Sequence, residues 1–219
     1  MNDGFHLLDI VFFAMIAAFL VLRLRSVLGK RTGHERPPEK WTAAEPETAE
    51  VIDLAQMRRS AFEPAAESPM GRGLAAIRGA DRGFDLDGFL GGARAAFEMI
   101  VGAFAAGDKA TLKPLLAPEV YRHFADAIDT RARNGESLTT ELVGIRSVQP
   151  IEARLDDGFA VVTLRIVSEQ VNALTSHDGQ IIEGSRDRVV DVIDEWTFRR
   201  DTRSSDPNWL LAATRTPEE

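Results

Sequence analysis

The side chain with the clearest chemical potential is Asp194. Across residues 189–200 the two-residue repeat of a β-strand puts Val190, Val192, Asp194, Trp196 and Phe198 on one face, so a carboxylate stands in an apolar stripe. A carboxyl so placed has two uses. It can pair with a cation, because a buried charge demands a partner, or it can move a proton in a pocket that holds a hydrogen-bond donor opposite it. Arg131, closing the helical row that runs through Phe124 and Ile128, is the expected partner. Tyr121, the one tyrosine, is the available donor. Phe97, Val101, Phe104 and Trp196 complete the candidate pocket. One Asp and one Tyr are not a catalytic constellation, so no catalytic residue is assigned. On the pairing reading, Asp194→Asn should lower thermal stability.

Other chemistries find little support. The 219 residues include no cysteine, which excludes thiol catalysis, disulfides and thiolate metal sites. The four histidines, His6, His34, His123 and His177, form no HxxxH pair, so no metal is expected. Neither GxGxxG nor GxxxxGK[ST] occurs, and no cofactor is expected. The net charge is −8, unevenly spread: residues 1–36 carry five bases against three acids, and the rest carries 21 against 31. An acidic body repels phosphate backbones, so no nucleic-acid partner is expected.

The five N-terminal bases sit around and after an apolar run. Residues 5–24, as a helix, span roughly 30 Å, the thickness of a bilayer core. Phe5, Ile10, Phe12, Phe13, Ile16, Phe19 and Leu22 leave no polar face for a surface helix. The bases follow the run instead of preceding it, the reverse of a signal peptide. These residues therefore read as a membrane span, and Arg23, Arg25, Lys30 and Arg31 place the chain after them in the cytoplasm, with the N-terminus outside.

The elements that would position Asp194 come later. Residues 25–71 form a basic juxtamembrane segment and a Pro/Glu/Ala-rich tether, a composition that runs on to about Gly83 and favours disorder. Residues 51–59 read as a small amphipathic stretch and 73–78 as one or two helical turns, either transient local order within the tether or a partner-docking peptide or a turn lying on the membrane. From Phe84 the helical period predicts a helix capped by Asp87 and ended by Gly107, a short turn capped by Asp108, and a third helix opened by Pro118 and closed by Asn134 and Gly135. Gly91, Gly92 and Gly102 in the first helix would mark close packing or an apolar groove. The period then changes to two, predicting strands at 138–148, 151–155, 159–171, 181–183, 189–200 and 209–214. Asp157-Gly158 and Asp178-Gly179 are turn signals, and Asp206-Pro207-Asn208 reads as a turn before Trp209. Helices first and an antiparallel meander after is an α+β pattern.

Four stretches in order, at 91–131, 161–170 (VVTLRIVSEQ), 194–201 (DEWTFRRD) and 205–214 (SDPNWLLAAT), resemble the Tim44-like family. The layout is similar to membrane-anchored Tim44/TimA-type proteins of proteobacteria. The resemblance covers roughly 72–216. It implies an NTF2-like (cystatin-like) cone, helices packed into a curved antiparallel sheet. It also implies a bacterial inner-membrane location and membrane-proximal scaffolding. The partners implied are the lipid bilayer and an unidentified membrane-associated protein of translocation or chaperone machinery. The expected function is a single-pass adaptor whose cytoplasmic domain binds a protein partner, a hydrophobic peptide or lipid. The alternative is a pocket enzyme or lipid carrier working on a small hydrophobic molecule through Asp194.

Overall fold

The computed structural model describes residues 66–217. The expected span at 5–24, the basic residues after it, most of the tether and the 51–59 stretch lie outside the described residues.

Four helices come first. The helix α1, Pro69–Ala80, opens with Pro69, whose missing N–H costs nothing there, and with the Ser68 side chain accepting from the Gly71 N–H. This corrects the expectation of transient turns in a tether: α1 buries Leu74 and Ile77 in the core and lays Gly73 on strand β1. A Cβ at Gly73 would stand 1.8 Å from the Ala153 carbonyl oxygen. Average composition hides three well-placed residues.

Helix α2, Leu86–Ala106, is capped by Asp85, not Asp87: Asp85 has extended backbone and accepts from the Gly88 N–H at 2.7 Å. Asp87 lies in the first turn, where a negative charge favours the helix dipole. Gly107, at φ 72°, ends α2 in the left-handed conformation. Asp108 then caps α3, Lys109–Leu112, through the Ala110 and Thr111 N–H groups. Pro118 opens α4, Pro118–Arg133, which runs out at Asn134 and Gly135.

Five antiparallel strands follow: β1 Ser137–Asp156, β2 Phe159–Thr175, β3 Ile181–Gly184, β4 Val190–Asp201 and β5 Leu210–Arg215. The two stretches expected at 138–148 and 151–155 are one strand. β1 lies at the sheet edge, where Pro150 is tolerated, and it shifts register against β2 in three places. Asp157 and Gly158, both at positive φ, turn the chain tightly into β2. The order is β1-β2-β4-β5, with β3 also on β2. Because β3 and β4 both pair with β2 antiparallel, they run in one lane interrupted by residues 185–189.

The helices cover one face of the sheet. Leu74, Ile77, Phe89, Phe97 and Ile100 pack there with Val162, Leu164, Ile166, Trp196, Phe198 and Leu211. Among the described residues α2 is the one helix long and apolar enough to cross a membrane. It is the core helix of this fold, with Leu86, Phe89, Ala93, Phe97, Ile100 and Ala103 buried. Gly91, Gly92 and Gly102 are exposed on its outer side, and a Cβ at any of them would meet nothing within 4 Å, so they do not mark close packing.

Candidate functional site

On its helix-facing side strand β2 buries Val162, Leu164, Ile166, Ser168 and Gln170 at alternate positions. Apolar side chains fill the first three places and polar ones the next two. Ser168 is fully buried and Gln170 is 5% exposed, yet both are satisfied: Gln170 donates to Ser168 Oγ at 2.9 Å and accepts from Asn172 at 3.0 Å. Each stands between apolar neighbours, Ser168 between Ile145 and Val192, Gln170 between Leu142 and Val190. This polar row escaped the sequence reading. Continuing the alternation past Ile166 would have found it.

Asp194 lies opposite Ile166, one rung from Ser168, at the border between the aromatic core and the polar row. On the core side Trp196 packs on Phe97 with ring centroids 4.6 Å apart. Burial alone pushes the Asp194 carboxyl up to about 6. Among the described residues it has no hydrogen bond or ion pair, and none of them contains a fully buried side-chain polar atom without a partner. Its oxygens therefore keep contact with solvent.

The expected Arg131 partner is elsewhere. Arg131 donates to the Phe104 carbonyl at 2.6 Å and the Ala105 carbonyl at 3.3 Å, satisfying the C-terminal end of α2. Its guanidinium lies 4.9 Å from the Phe104 ring centre, and Phe104 in turn packs edge-on against Phe124 at 4.9 Å. Burial lowers the Arg131 pKa, with Glu136 acting against it. Tyr121 is partly buried against the core and close enough to Lys109 to help raise that lysine's pKa, after the larger effect of its hydrogen bond to Asp129. Of the candidate pocket residues, Phe97 and Trp196 touch each other as core. Phe104 and Arg131 make a second cluster at the α2–α4 contact, and Val101 is half-buried beside the core. The structure does not gather them round Asp194. Among the described residues no cluster of His, Asp and Glu is arranged to hold a metal ion.

A sheet with helices on one face, opened by α1 and closed by β5, is the unit that the Tim44-like domain family matches, over residues 70–216. The chain belongs to the Tim44-like domain family. The match begins within the first turn of α1, so the helix that composition assigned to a tether is part of the family domain. No curated protein matches the chain. Among solved structures the chain is similar to the intermembrane-space region of the chloroplast protein ARC6, at 9% identity and a TM-score of 0.38, covering 56% of this chain and 94% of that one.

Proposed function

We propose that this Tim44-like protein is a membrane-associated adaptor. In this reading residues 5–24 anchor it in a bacterial inner membrane, and the domain from residue 70 onward works on the cytoplasmic side, on an NTF2-like scaffold. There it holds a protein partner, an apolar peptide or lipid at the membrane surface. The observation that carries the reading is the family match over 70–216 on a chain that also holds an apolar run at 5–24 followed by bases. The filling of the helix-covered face by Phe97, Trp196 and Phe198 supports binding over catalysis, because a reaction needs room for substrate. Alkaline carbonate washing should leave the full chain in the membrane pellet, and a reporter at its C-terminus should be active only in the cytosol. Release into the supernatant overturns the anchor. Crosslinking in intact membranes, followed by mass spectrometry, then names the partner.

One observation favours a second reading. An unpaired carboxyl with a pKa near neutrality is the form in which Asp serves as a proton acceptor. A pocket enzyme or lipid carrier would use it so, and turnover or lipid transfer lost in Asp194→Asn with the fold intact would establish that role.

A further inference from the structure

Burial falls off along the helix-facing side of β4. Phe198 and Trp196 are buried there, whereas Asp194, Val192 and Val190, the next three positions on the same face, are half-buried. On the neighbouring strand β2 burial continues through Ile166, Ser168 and Gln170, so the opening lies over β4. Asp194 is the first residue at its margin.

A carboxylate so covered ordinarily has a cation beside it, because desolvation without one is costly. Among the described residues Asp194 has neither hydrogen bond nor ion pair. Bases on the elements around it are committed elsewhere. Arg131 bonds the α2 carbonyls and Lys109 bonds Asp129. Arg215 pairs with Glu195, and Arg146 with Glu169 and Asp191, all three acids on the opposite face of the sheet. The Asp194 oxygens nevertheless touch solvent. An opening that passes water passes a primary ammonium, a compact point charge, more readily than a broad planar guanidinium. Ile166 lies across from the carboxylate, Val192 and Trp196 flank it on its own strand, and Val190 stands beyond Val192. What carries a charge to Asp194 along this face must therefore be apolar.

We propose that Asp194 anchors a binding site for a primary ammonium on an unbranched apolar stem, the chemistry shared by a lysine side chain of a partner and a free alkylamine. The carboxylate takes the ammonium through charge-assisted hydrogen bonds. The methylenes of the stem lie against Val192 and Val190, as the stems of basic side chains commonly do on apolar surface. The inference rests on the adaptor reading only in that the domain binds something, and it names the chemistry of what is bound.

The test melts the full chain in neutral detergent micelles with increasing hexylammonium. Beside it run hexanol, the same stem without charge, and hexyltrimethylammonium, whose charge is bulky and has no N–H to donate. Hexylammonium should raise the midpoint to a plateau, because a ligand of the folded state stabilises it. It should reach half-effect at about tenfold lower concentration than either comparison stem, the gain of a charge-assisted hydrogen bond. Asp194→Asn should remove that advantage. A capped tripeptide with lysine between two valines, set against its norleucine counterpart, separates the sources. A rise with the lysine peptide assigns the ammonium to a partner's side chain, and a rise with hexylammonium alone assigns it to a free amine. Equal effects of hexylammonium and a comparison stem, an advantage that survives in Asp194→Asn, or no rise with either ammonium probe would each overturn the inference. The comparison of stems needs no variant, so it stands even if Asp194→Asn fails to fold. Carbonate washing of the same protein reads the membrane anchor separately.

Discussion

A buried carboxylate without a partner inverts the expectation attached to Asp194. The pairing reading had Asp194→Asn lowering stability, but Arg131 is committed to the α2 carbonyls and nothing described offsets the desolvation of Asp194. Its folded pKa of about 6 lies above the ordinary 3.8, so between those values the native state holds a proton that the unfolded chain has released. The stability contributed by this group is therefore greatest below pH 4, falls as pH rises to 6 and is flat beyond. A shift of about two units corresponds to about 3 kcal/mol, and the solvent contact of the carboxylate brings the expected effect nearer 1–2 kcal/mol. Asp194→Asn should thus be more stable than the parent at pH 7.5 and close to it at pH 4.5, read as urea midpoints. A variant less stable at pH 7.5 would restore the ion pair. The alternation of 190–198 made the unusual setting of this carboxyl legible in the sequence. What Arg131 does was not, because the nearest acceptors to a cation at the end of α4 are set by how α2 and α4 meet.

Capping and turn residues act within a few positions of themselves, and the element boundaries they set were largely readable: Gly107, Asp108, Pro118 and the Asp157-Gly158 turn all stand where the sequence put them. The α2 cap was misplaced by two residues because both aspartates fit the pattern and only the extended backbone of Asp85 decides between them. Asp85→Ala should cost about 1 kcal/mol and Asp87→Ala a few tenths, by chemical denaturation. Equal losses would restore Asp87 as the cap. Glycines separate the same way. Gly73→Ala drives a methyl into the Ala153 carbonyl, and since backbone cannot yield as a side chain can, α1 must lift from β1. A loss of more than about 2 kcal/mol is expected, as for an overpacked core. Gly102→Ala, with nothing near its new methyl, should gain up to about 1 kcal/mol. If both variants behave alike in thermal melts, α1 does not rest on β1 through Gly73. The role of Gly73 could not be read from its neighbours, since the backbone it accommodates comes from a strand much later in the chain.

The whole molecule depends on joining a helical half, first in sequence, to a sheet made afterwards. The order of helices and strands, and hence the α+β class, was legible because period and turn chemistry are local. Sheet order beyond neighbouring hairpins, the shared lane of β3 and β4, and the seating of α1 were not, since each is fixed by contacts distant in sequence. One ion pair concentrates this join. Asp81, just past α1, meets Arg200 near the end of β4, and Arg200 also donates to the Asp206 carbonyl at 3.1 Å in the turn before β5. Both side chains are about 15% exposed, so removing one leaves the other's charge poorly hydrated and without its counter-ion. Asp81→Asn should therefore cost roughly 3 kcal/mol, a fall of several degrees in Tm for a domain of this size. Asp81→Leu with Arg200→Met replaces both charges by apolar groups and should recover most of that loss, because the penalty comes from stranding a charge and not from lacking a pair. Melting the two variants beside the parent separates the cases. If the double replacement melts as low as Asp81→Asn, the pair holds the helices to the sheet by its attraction. If it melts near the parent, apolar packing holds the two halves and the pair serves to fix how they meet.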